Sequence, residues 1–239
     1  MDSYIVVDLE TTGLNPKKDK IIEIGALKIK NGKPVETFQT LVNPGRTLTE
    51  AVENITHITD EELAQASYIE DVLPEYMEFA EDYPLLGHSI LFDYSFLKRA
   101  AVNQGYSYER DGVDTLAIAR AYLPELESRR LPYLCSYFGI EHQAHRALGD
   151  ARATYELFHL LKERFFKEED KLFHPKKLVY QVKKEGPATR SQKEQLLKLL
   201  SYHSLTPEYN IDKLTKSEAS RYMDQIIFHH GRYPKEGKE

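Results

Sequence analysis

The sequence of 239 residues contains a single cysteine, Cys135, so the chain cannot form an internal disulfide. Scarce cysteine is typical of proteins in a reducing compartment and predicts a cytoplasmic location. No apolar run approaches the roughly 18 residues that a membrane-spanning helix needs. The first residues, Met1 to Ser3, also lack the basic start and the long apolar stretch of a signal peptide. We therefore expect no membrane association.

Positive charge is scarce in the first two thirds of the chain. Residues 1–166 carry 17 Lys and Arg against 27 Asp and Glu, a net charge of −10. Residues 167–239 carry 15 against 11, and the whole chain has a formal net charge of −6. This balance argues against a protein that coats nucleic acid through charge alone. A polyanionic substrate would need cations to offset the acidic part.

The order of strand-like and helix-like patterns indicates the fold class. With 41% hydrophobic residues and a mean hydropathy of −0.54, the chain can bury a sizeable core. The patterns predict strands at 4–9, 21–29, 35–42, 84–88 and near 112–116, and helices at 60–82, 93–103, 115–122, 129–138 and 147–166. Three strands followed by alternating strands and helices predict an α/β fold, with helices flanking a mixed sheet.

The pattern changes towards the carboxyl end. A charged stretch with glycine and proline predicts a linker over residues 169–186. Beyond it, two segments match the capping box that begins a helix, Ser191 to Glu194 and Thr215 to Glu218. We therefore expect a main domain over residues 1–168 and a small helical module over residues 187–239.

A buried-strand pattern runs directly into two acids in the stretch "YIVVDLETTG", which starts at Tyr4. Because strand side chains alternate, Asp8 and Glu10 point to the same side. Two like charges side by side are unfavourable unless solvent screens them or a cation lies between them. The spacing alone occurs by chance in many sequences, so both explanations stay open on this stretch alone.

Two further acids lie at predicted helix starts. Asp93 and Asp150 each share a helical stripe with apolar residues, so both should face the sheet. A favourable charge near a helix amino end is the alternative for each, but that role suits an acid that faces solvent. Together with Asp8 and Glu10, these acids favour a functional site.

Four carboxylates with few thiol or imidazole ligands are typical of a site for the hard cations Mg²⁺ or Mn²⁺. Two such ions can activate water and stabilise the leaving oxygen in phosphodiester cleavage. A base must still take the proton of the water. His145 is the candidate, because it lies five residues before Asp150 and imidazole titrates near neutral pH. Most other histidines lack acidic neighbours in the pattern, and the role of His88, five residues before Asp93, is open.

Three segments carry a resemblance to a known family: "VVDLETTGL", "LLGHSILFD" and "HRALGDARAT". In order and separation they resemble the three exonuclease motifs of the DEDD superfamily, and the His-x4-Asp form of the third is similar to its histidine subgroup. The subgroup includes the proofreading epsilon subunit of bacterial DNA polymerase III and the exonuclease segment of Gram-positive replicative polymerases. The resemblance covers about residues 1–166 and implies a ribonuclease-H-like fold. It also implies stepwise 3′→5′ hydrolysis that releases nucleoside 5′-monophosphates.

The resemblance also implies a role for each reactive residue. Asp8 would bridge two divalent cations, Mg²⁺ or Mn²⁺, with Glu10 and Asp150 completing the more tightly held site. Asp93 would act through water, and His145 would be the general base.

Five further residues fall in the matching motifs and are expected to contact the substrate. Thr11, Thr12 and Leu14 would hold the terminal nucleotide, with Leu14 packing against its base. His88 and Phe92 belong to the second motif. The family usually has Asn where Ser89 stands, which puts one polar contact in doubt.

The leading hypothesis is a metal-dependent exonuclease that acts on single-stranded 3′ ends of DNA. An RNA exonuclease of the same fold is an alternative, because motifs do not reveal contacts to a 2′-hydroxyl. A non-catalytic docking protein is another, although a scaffold has no physical need for all five reactive positions. The basic module over residues 187–239 would either add phosphate contacts or only keep its helices soluble. It is also the candidate contact for a polymerase or DNA-repair partner.

Overall fold

The computed structural model describes residues 1–142, 146–182, 186–207 and 209–233. The chain divides into two compact units, one formed by Met1–Pro44 with Leu48–Val182 and the other by Gly45–Thr47 with Lys183–Glu239. Among the described residues, no helix combines the length and the apolar character that crossing a membrane requires.

Six strands of the first unit form one sheet. They are β1 (Tyr4–Thr11), β2 (Ile21–Lys30), β3 (Lys33–Leu41), β4 (Leu85–Gly87), β5 (Asp111–Asp114) and β6 (Lys176–Lys177). The spatial order is β3-β2-β1-β4-β5-β6. β4 is parallel to β1 and to β5, and the remaining pairs are antiparallel. The predicted mixed sheet is thus confirmed.

Seven α-helices of the first unit accompany the sheet. They are α1 (Glu50–Thr56), α2 (Asp60–Ala64), α3 (Ile69–Ala80), α4 (Leu91–Asn103), α5 (Thr115–Tyr122), α6 (Leu131–Phe138) and α7 (Ala147–Phe165). The single helix predicted over 60–82 is wrong, because the chain between α2 and α3 bonds to another segment. The amide of Asn43 donates to the carbonyl of Ser67 at 2.9 Å, which takes those residues out of the helix.

Side-chain alternation along β1 separates two hydrophobic cores. Ile5 and Val7 lie in a core that includes residues of α3 and α4. Tyr4 and Val6 lie in a second core that includes α7. Since Asp8 and Glu10 have the parity of Tyr4 and Val6, the alternation directs them towards the α7 side of the sheet.

The amino end of α7 lies directly against the backbone of β2. A Cβ atom added to Gly25 would be 2.1 Å from the amide nitrogen of Leu148 and 2.2 Å from the carbonyl carbon of Ala147. Gly25 pairs with Asp8 across the β1–β2 ladder. The missing side chain therefore lets α7 approach the sheet next to the acidic end of β1.

Part of the segment predicted as a linker packs on the first unit. A short 3₁₀ turn, Lys171–Phe173, precedes β6, and Phe173 is buried in the core that contains α7. The linker predicted over 169–186 therefore contributes to folded structure before residue 183.

The second unit contains two helices, α8 (Arg190–Tyr202) and α9 (Lys216–His230), around a small apolar core. The predicted capping box at Thr215 begins α9. The other predicted box is wrong by two residues, because Thr189 caps α8 with Gln192. The neighbouring amide of Ala188 donates to the carbonyl of Leu214 at 2.7 Å, which keeps the chain extended up to that cap.

We expect Gly25→Ala to destabilise the first unit by about 1–3 kcal/mol, because the new methyl group overlaps the backbone of α7. Thermal unfolding followed by circular dichroism measures the change. Gly186→Ala is the control, since a Cβ there meets no atom within 4 Å. Equal melting temperatures for the two variants would contradict the close packing of α7 on β2.

Candidate active site

Three carboxylates meet where β1 ends and α7 begins. One oxygen atom from each of Asp8, Glu10 and Asp150 lies within 4.8 Å of the others. β1 contributes the first two through its period of two, and the first turn of α7 contributes the third. Asp150 is only 9% exposed. The geometry therefore brings together three of the four acids predicted for this site.

The fourth predicted acid, Asp93, lies beside this cluster and is held by the backbone. It sits in the first turn of α4, is 3% exposed, and its Oδ1 accepts the amide hydrogen of Leu9 at 3.1 Å. Leu9 lies between Asp8 and Glu10 on β1, so Asp93 is bonded to the backbone of the strand that carries both acids. Asp93 is thus adjacent to the three-carboxylate cluster without belonging to it.

The acids destabilise one another when all are ionised. Burial raises the pKa of Asp8 well above its ordinary value, and the charges of Asp93 and Asp150 add to this effect. Burial, followed by the charges of Asp150 and Glu23, raises the pKa of Glu10 to about 8, although Arg146 acts in the opposite direction. Burial also raises the pKa of Asp93, against the hydrogen bonds that its carboxylate accepts. A cation among these groups would relieve the repulsion.

The residues present fit a divalent cation. Carboxylate oxygens are hard ligands, which Mg²⁺ and Mn²⁺ prefer over nitrogen or sulfur. Asp8, Glu10 and Asp150 can converge on one ion. The raised pKa values of Asp8 and Glu10 indicate that the site lacks compensating positive charge. The fit concerns a divalent cation and does not distinguish between the two metals.

A buried glutamate that the sequence reasoning missed holds the start of α7. Glu23 is fully buried on β2, opposite Glu10 in the ladder. Its carboxylate accepts the amide hydrogen of Ala147 at 3.0 Å and the guanidinium Nη2 of Arg146 at 3.0 Å. The acid thereby satisfies an otherwise unpaired amide at the helix start. The signal was available, since an acid interrupts the apolar run "IIEIGALKI".

Two histidines must be distinguished near Asp150. His145, the predicted general base, lies outside the described residues. His142, which the sequence reasoning passed over, places its Nε2 at 2.6 Å from Oδ1 of Asp150, where it can donate a hydrogen bond. The sequence held no clear signal for this contact, because His142 precedes α7 and belongs to no helical stripe.

The segment after β1 presents one exposed apolar side chain. Leu14 is 84% exposed, so it is free to pack against a ligand. Thr11 and Thr12 instead use their hydroxyl groups within the turn: Oγ1 of Thr11 donates to the carbonyl of Gly13, and Oγ1 of Thr12 accepts from the amide of Lys20. Their hydroxyl groups shape this turn.

His88 and Phe92 are held by contacts within the protein. The Nδ1 and Nε2 atoms of His88 lie 2.9 Å from Oγ1 of Thr115 and 2.8 Å from the carbonyl oxygen of Arg129. The ring of Phe92 packs on Phe96 with 5.0 Å between centroids. Both ring nitrogens of His88 are therefore used internally in this conformation.

Ser89 occupies a left-handed backbone conformation with φ of 71°. Asn and Gly adopt this region more readily than other residues, which gives a backbone reason for Asn at this position of the family motif. The amide of Ser89 donates to Oδ1 of Asp114 at 2.8 Å, and this bond holds the turn without an Asn side chain.

Comparison with known sequences gives a consistent family. The profile of a family described as exonuclease matches residues 5–158. The PolC-type DNA polymerase III of Caldanaerobacter subterraneus is 41% identical over 157 residues, which are 65% of this chain and 11% of the polymerase. The corresponding protein of Thermotoga maritima is 37% identical over 207 residues, or 86% of this chain and 14% of the polymerase. The chain thus spans a small fraction of these relatives.

Comparison with solved structures supports the same fold. A structure of exonuclease I superposes with a TM-score of 0.63 at 23% identity, covering 69% of this chain and 42% of that one. Exonuclease X in complex with 5′-overhanging duplex DNA superposes with a TM-score of 0.56 at 25% identity, covering 68% of this chain and 92% of that one. The predicted ribonuclease-H-like arrangement of a mixed sheet flanked by helices is confirmed.

Repulsion at Glu10 predicts a pH-dependent stability of the metal-free protein. The pKa of Glu10 is about 8 in the folded protein against an ordinary value of 4.5. The folded protein therefore retains its full stability with respect to Glu10 below about pH 4.5, where this group is protonated. Its free energy of unfolding falls as the pH rises from there through about 8. In EDTA at about pH 9, we expect Glu10→Gln to be more stable than the unmodified protein by about 1–2 kcal/mol, with little difference at about pH 5.

Thermal unfolding at both pH values tests this expectation. Glu75→Gln, at an exposed position of α3, removes the same charge away from the site and should change neither melting temperature appreciably. A gain for Glu10→Gln that is equal at the two pH values would exclude the repulsion as its cause.

Proposed function

This chain belongs to the exonuclease family, and on that premise we propose that it is a metal-dependent 3′→5′ exonuclease acting on DNA. The observation that carries the proposal is the convergence of Asp8, Glu10 and Asp150 within 4.8 Å of one another, with Asp93 beside them. A structural role does not account for this arrangement, because the mutual repulsion opposes folding. The non-catalytic alternative is therefore disfavoured on physical grounds.

The proposed site has a division of labour among its residues. Asp8, Glu10 and Asp150 would hold two divalent cations, Mg²⁺ or Mn²⁺, and Asp93 would support them through water. Bound cations of this kind supply Lewis-acid activation of water and charge stabilisation at phosphorus. His145 accepts the proton of the attacking water. The carboxylates lie at the end of β1, so the scissile phosphodiester would bind there.

DNA is the proposed substrate, and the product is a nucleoside 5′-monophosphate. The support is the relatedness to PolC-type DNA polymerases and the likeness to exonuclease X, which was solved with DNA. Leu14, four residues after Glu10 in the chain, offers an exposed apolar surface for the terminal base. We propose Thr11 and Thr12 as backbone contacts to the terminal nucleotide, since their hydroxyl groups are used in the turn.

His88 and Phe92 are proposed to support the substrate site through contacts within the protein. Their side chains are tied to Thr115, to the carbonyl of Arg129 and to Phe96. They therefore shape the walls of the site, whereas Leu14 contacts the nucleotide.

The carboxyl-terminal unit has no function that the comparisons identify. Its predicted roles, phosphate binding or docking to a polymerase or repair protein, stay predictions from the sequence. The relatives are polymerases many times longer than this chain, so their partners do not transfer to it directly.

We expect Asp8→Asn to reduce hydrolysis of a single-stranded DNA by about 1000-fold or more, because it removes the carboxylate at the centre of the cation site. A 5′-labelled strand should be shortened from its 3′ end by the unmodified protein in Mg²⁺ or Mn²⁺, and EDTA should stop the reaction. Gel electrophoresis of the labelled strand resolves the intermediates.

The controls separate this proposal from its alternatives. Asp71→Asn, at an exposed position of α3, should retain full activity. A strand blocked at its 3′ end should resist hydrolysis. A matched RNA strand that is degraded faster than the DNA would overturn the choice of substrate, and full activity of Asp8→Asn would overturn the enzymatic assignment.

A ranking of two histidine variants tests the general base. We expect His145→Ala to lower kcat about 100-fold or more, which is the usual contribution of a positioned base. His142→Ala should have a smaller effect, because His142 donates a hydrogen bond to Asp150 and so only orients this proposed metal-binding carboxylate. Single-turnover rates of both variants decide the order. The reverse ranking would identify His142, and not His145, as the residue that the reaction requires.

A further inference from the structure

An open cleft lined by arginines lies between the end of α5 and the start of α6. Its volume is about 480 Å³, and its polar and charged lining comes from His88, Arg120, Glu127, Ser128, Arg129 and Arg130. We call it the arginine cleft. Three guanidinium groups in one cleft are unexpected where residues 1–166 carry a net charge of −10.

Two of these arginines have no anionic partner within the described part of the chain. Arg120 and Arg130 are exposed, and neither guanidinium has an ion pair among the residues that the structure describes. Arg129 differs, because its side chain donates to the carbonyls of Leu123 and Pro124 at the end of α5. Glu127 also lines the cleft but forms no salt bridge with these groups. The cleft thus keeps two cations available for a ligand.

The amino end of α6 adds to the positive potential of the cleft. Arg130 is its N-cap residue, and no side chain caps the first turn. Leu131, the first residue of the helix, lines the cleft. Unpaired amide groups and the helix dipole favour an anion at this end.

The arginine cleft and the carboxylate cluster lie at the same edge of the sheet. β4 pairs in parallel with β1, with Val6 opposite Leu86, so the carboxyl ends of both strands lie at one edge. His88 directly follows β4 and lines the cleft, whereas Asp8 and Glu10 lie towards the carboxyl end of β1. The cleft is therefore reached from the edge of the sheet that carries the acids.

His88 also fastens the cleft to the sheet. Its Nε2 is 2.8 Å from the carbonyl oxygen of Arg129, which can only accept, so Nε2 carries the hydrogen of this bond. The bond ties the loop before α6 to the residue that follows β4. The backbone next to Arg130 is consequently anchored to the sheet.

We propose that the arginine cleft binds the phosphodiester backbone of the substrate strand, on the 5′ side of the nucleotide being removed, through Arg120 and Arg130. This proposal rests on the proposed exonuclease function. A strand whose 3′ end enters the acidic site gains little attraction from the carboxylates themselves, so cations beside them must hold the preceding phosphates. Contacts to phosphates carry no base information, and the cleft therefore binds strands of any sequence.

Binding of a fluorescent single-stranded oligonucleotide to the full chain in EDTA tests the cleft without hydrolysis. Each phosphate contact on a single strand contributes about 0.7 to the slope of log affinity against log salt concentration. The double variant Arg120→Gln/Arg130→Gln should lower the magnitude of this slope by about 1.4 and weaken binding at low salt. Arg130→Lys alone should keep the slope of the unmodified protein, because the positive charge is retained.

Arg164→Gln is the matched control. Arg164 lies at the far end of α7 from Asp150 and packs on the ring of Phe138. The substitution therefore removes one positive charge at a position away from the cleft. Its salt slope should equal that of the unmodified protein. A double variant whose slope is also unchanged would overturn the proposal, and so would an equal loss in Arg164→Gln.

Kinetics with substrates of two lengths provide a second readout. A dinucleotide has no phosphate beyond the scissile one, so the double variant should hydrolyse it at the rate of the unmodified protein. With a longer strand, the double variant should show a KM raised about fivefold or more and an almost unchanged kcat, because the cleft binds ground and transition states alike. An equal effect on both substrates would overturn the proposal.

If the unmodified protein hydrolyses neither substrate, the exonuclease function fails, and the salt slopes still decide whether the cleft binds nucleic acid.

Discussion

The close approach of α7 to the sheet at Gly25 is the contact on which the site depends. A single methyl group there would overlap the backbone of Ala147 and Leu148. Because Asp8 pairs with Gly25 across the ladder, the same contact sets the separation between Asp8 and Asp150. Glu23, two residues earlier on β2, secures the helix start through the Ala147 amide. One short piece of β2 therefore positions α7 and the acid that it carries.

The buried acids near this contact differ in how their negative charge is balanced. Glu23 is buried, but Arg146, the Ala147 amide and Gln39 all donate to it, so its charge is satisfied within the protein. Among the residues that the structure describes, no comparable set of donors surrounds Asp8 and Glu10, and burial together with neighbouring acids raises their pKa values. The carboxylate of Glu23 and the carboxylates proposed to hold cations thus differ in their hydrogen bonds, although they occupy facing strands.

The same separation of charge extends to the surface beside the site. The carboxylates are proposed to take cations from solution, whereas Arg120 and Arg130 carry their own positive charge at the arginine cleft. The proposed substrate strand would need both, since its terminal phosphodiester has to reach the acids while they repel its remaining phosphates. His88, which directly follows β4, connects the sheet to the loop before α6 through its bond to the Arg129 carbonyl.

Periodicity and motif spacing were enough to predict the mixed sheet, the common face of Asp8 and Glu10, and the placement of Asp93 and Asp150 at helix starts. These features depend on local geometry, which alternating and helical patterns report directly. They did not reveal the break between α2 and α3 or the burial of Phe173. They also did not reveal the hydrogen bond that Glu23 accepts from the start of α7, or the contact between His142 and Asp150. Each of those features joins segments far apart in the chain or lies outside a repeating pattern. Such contacts exist only once the helices have packed on the sheet, because packing decides which polar group loses its water and which partner replaces it.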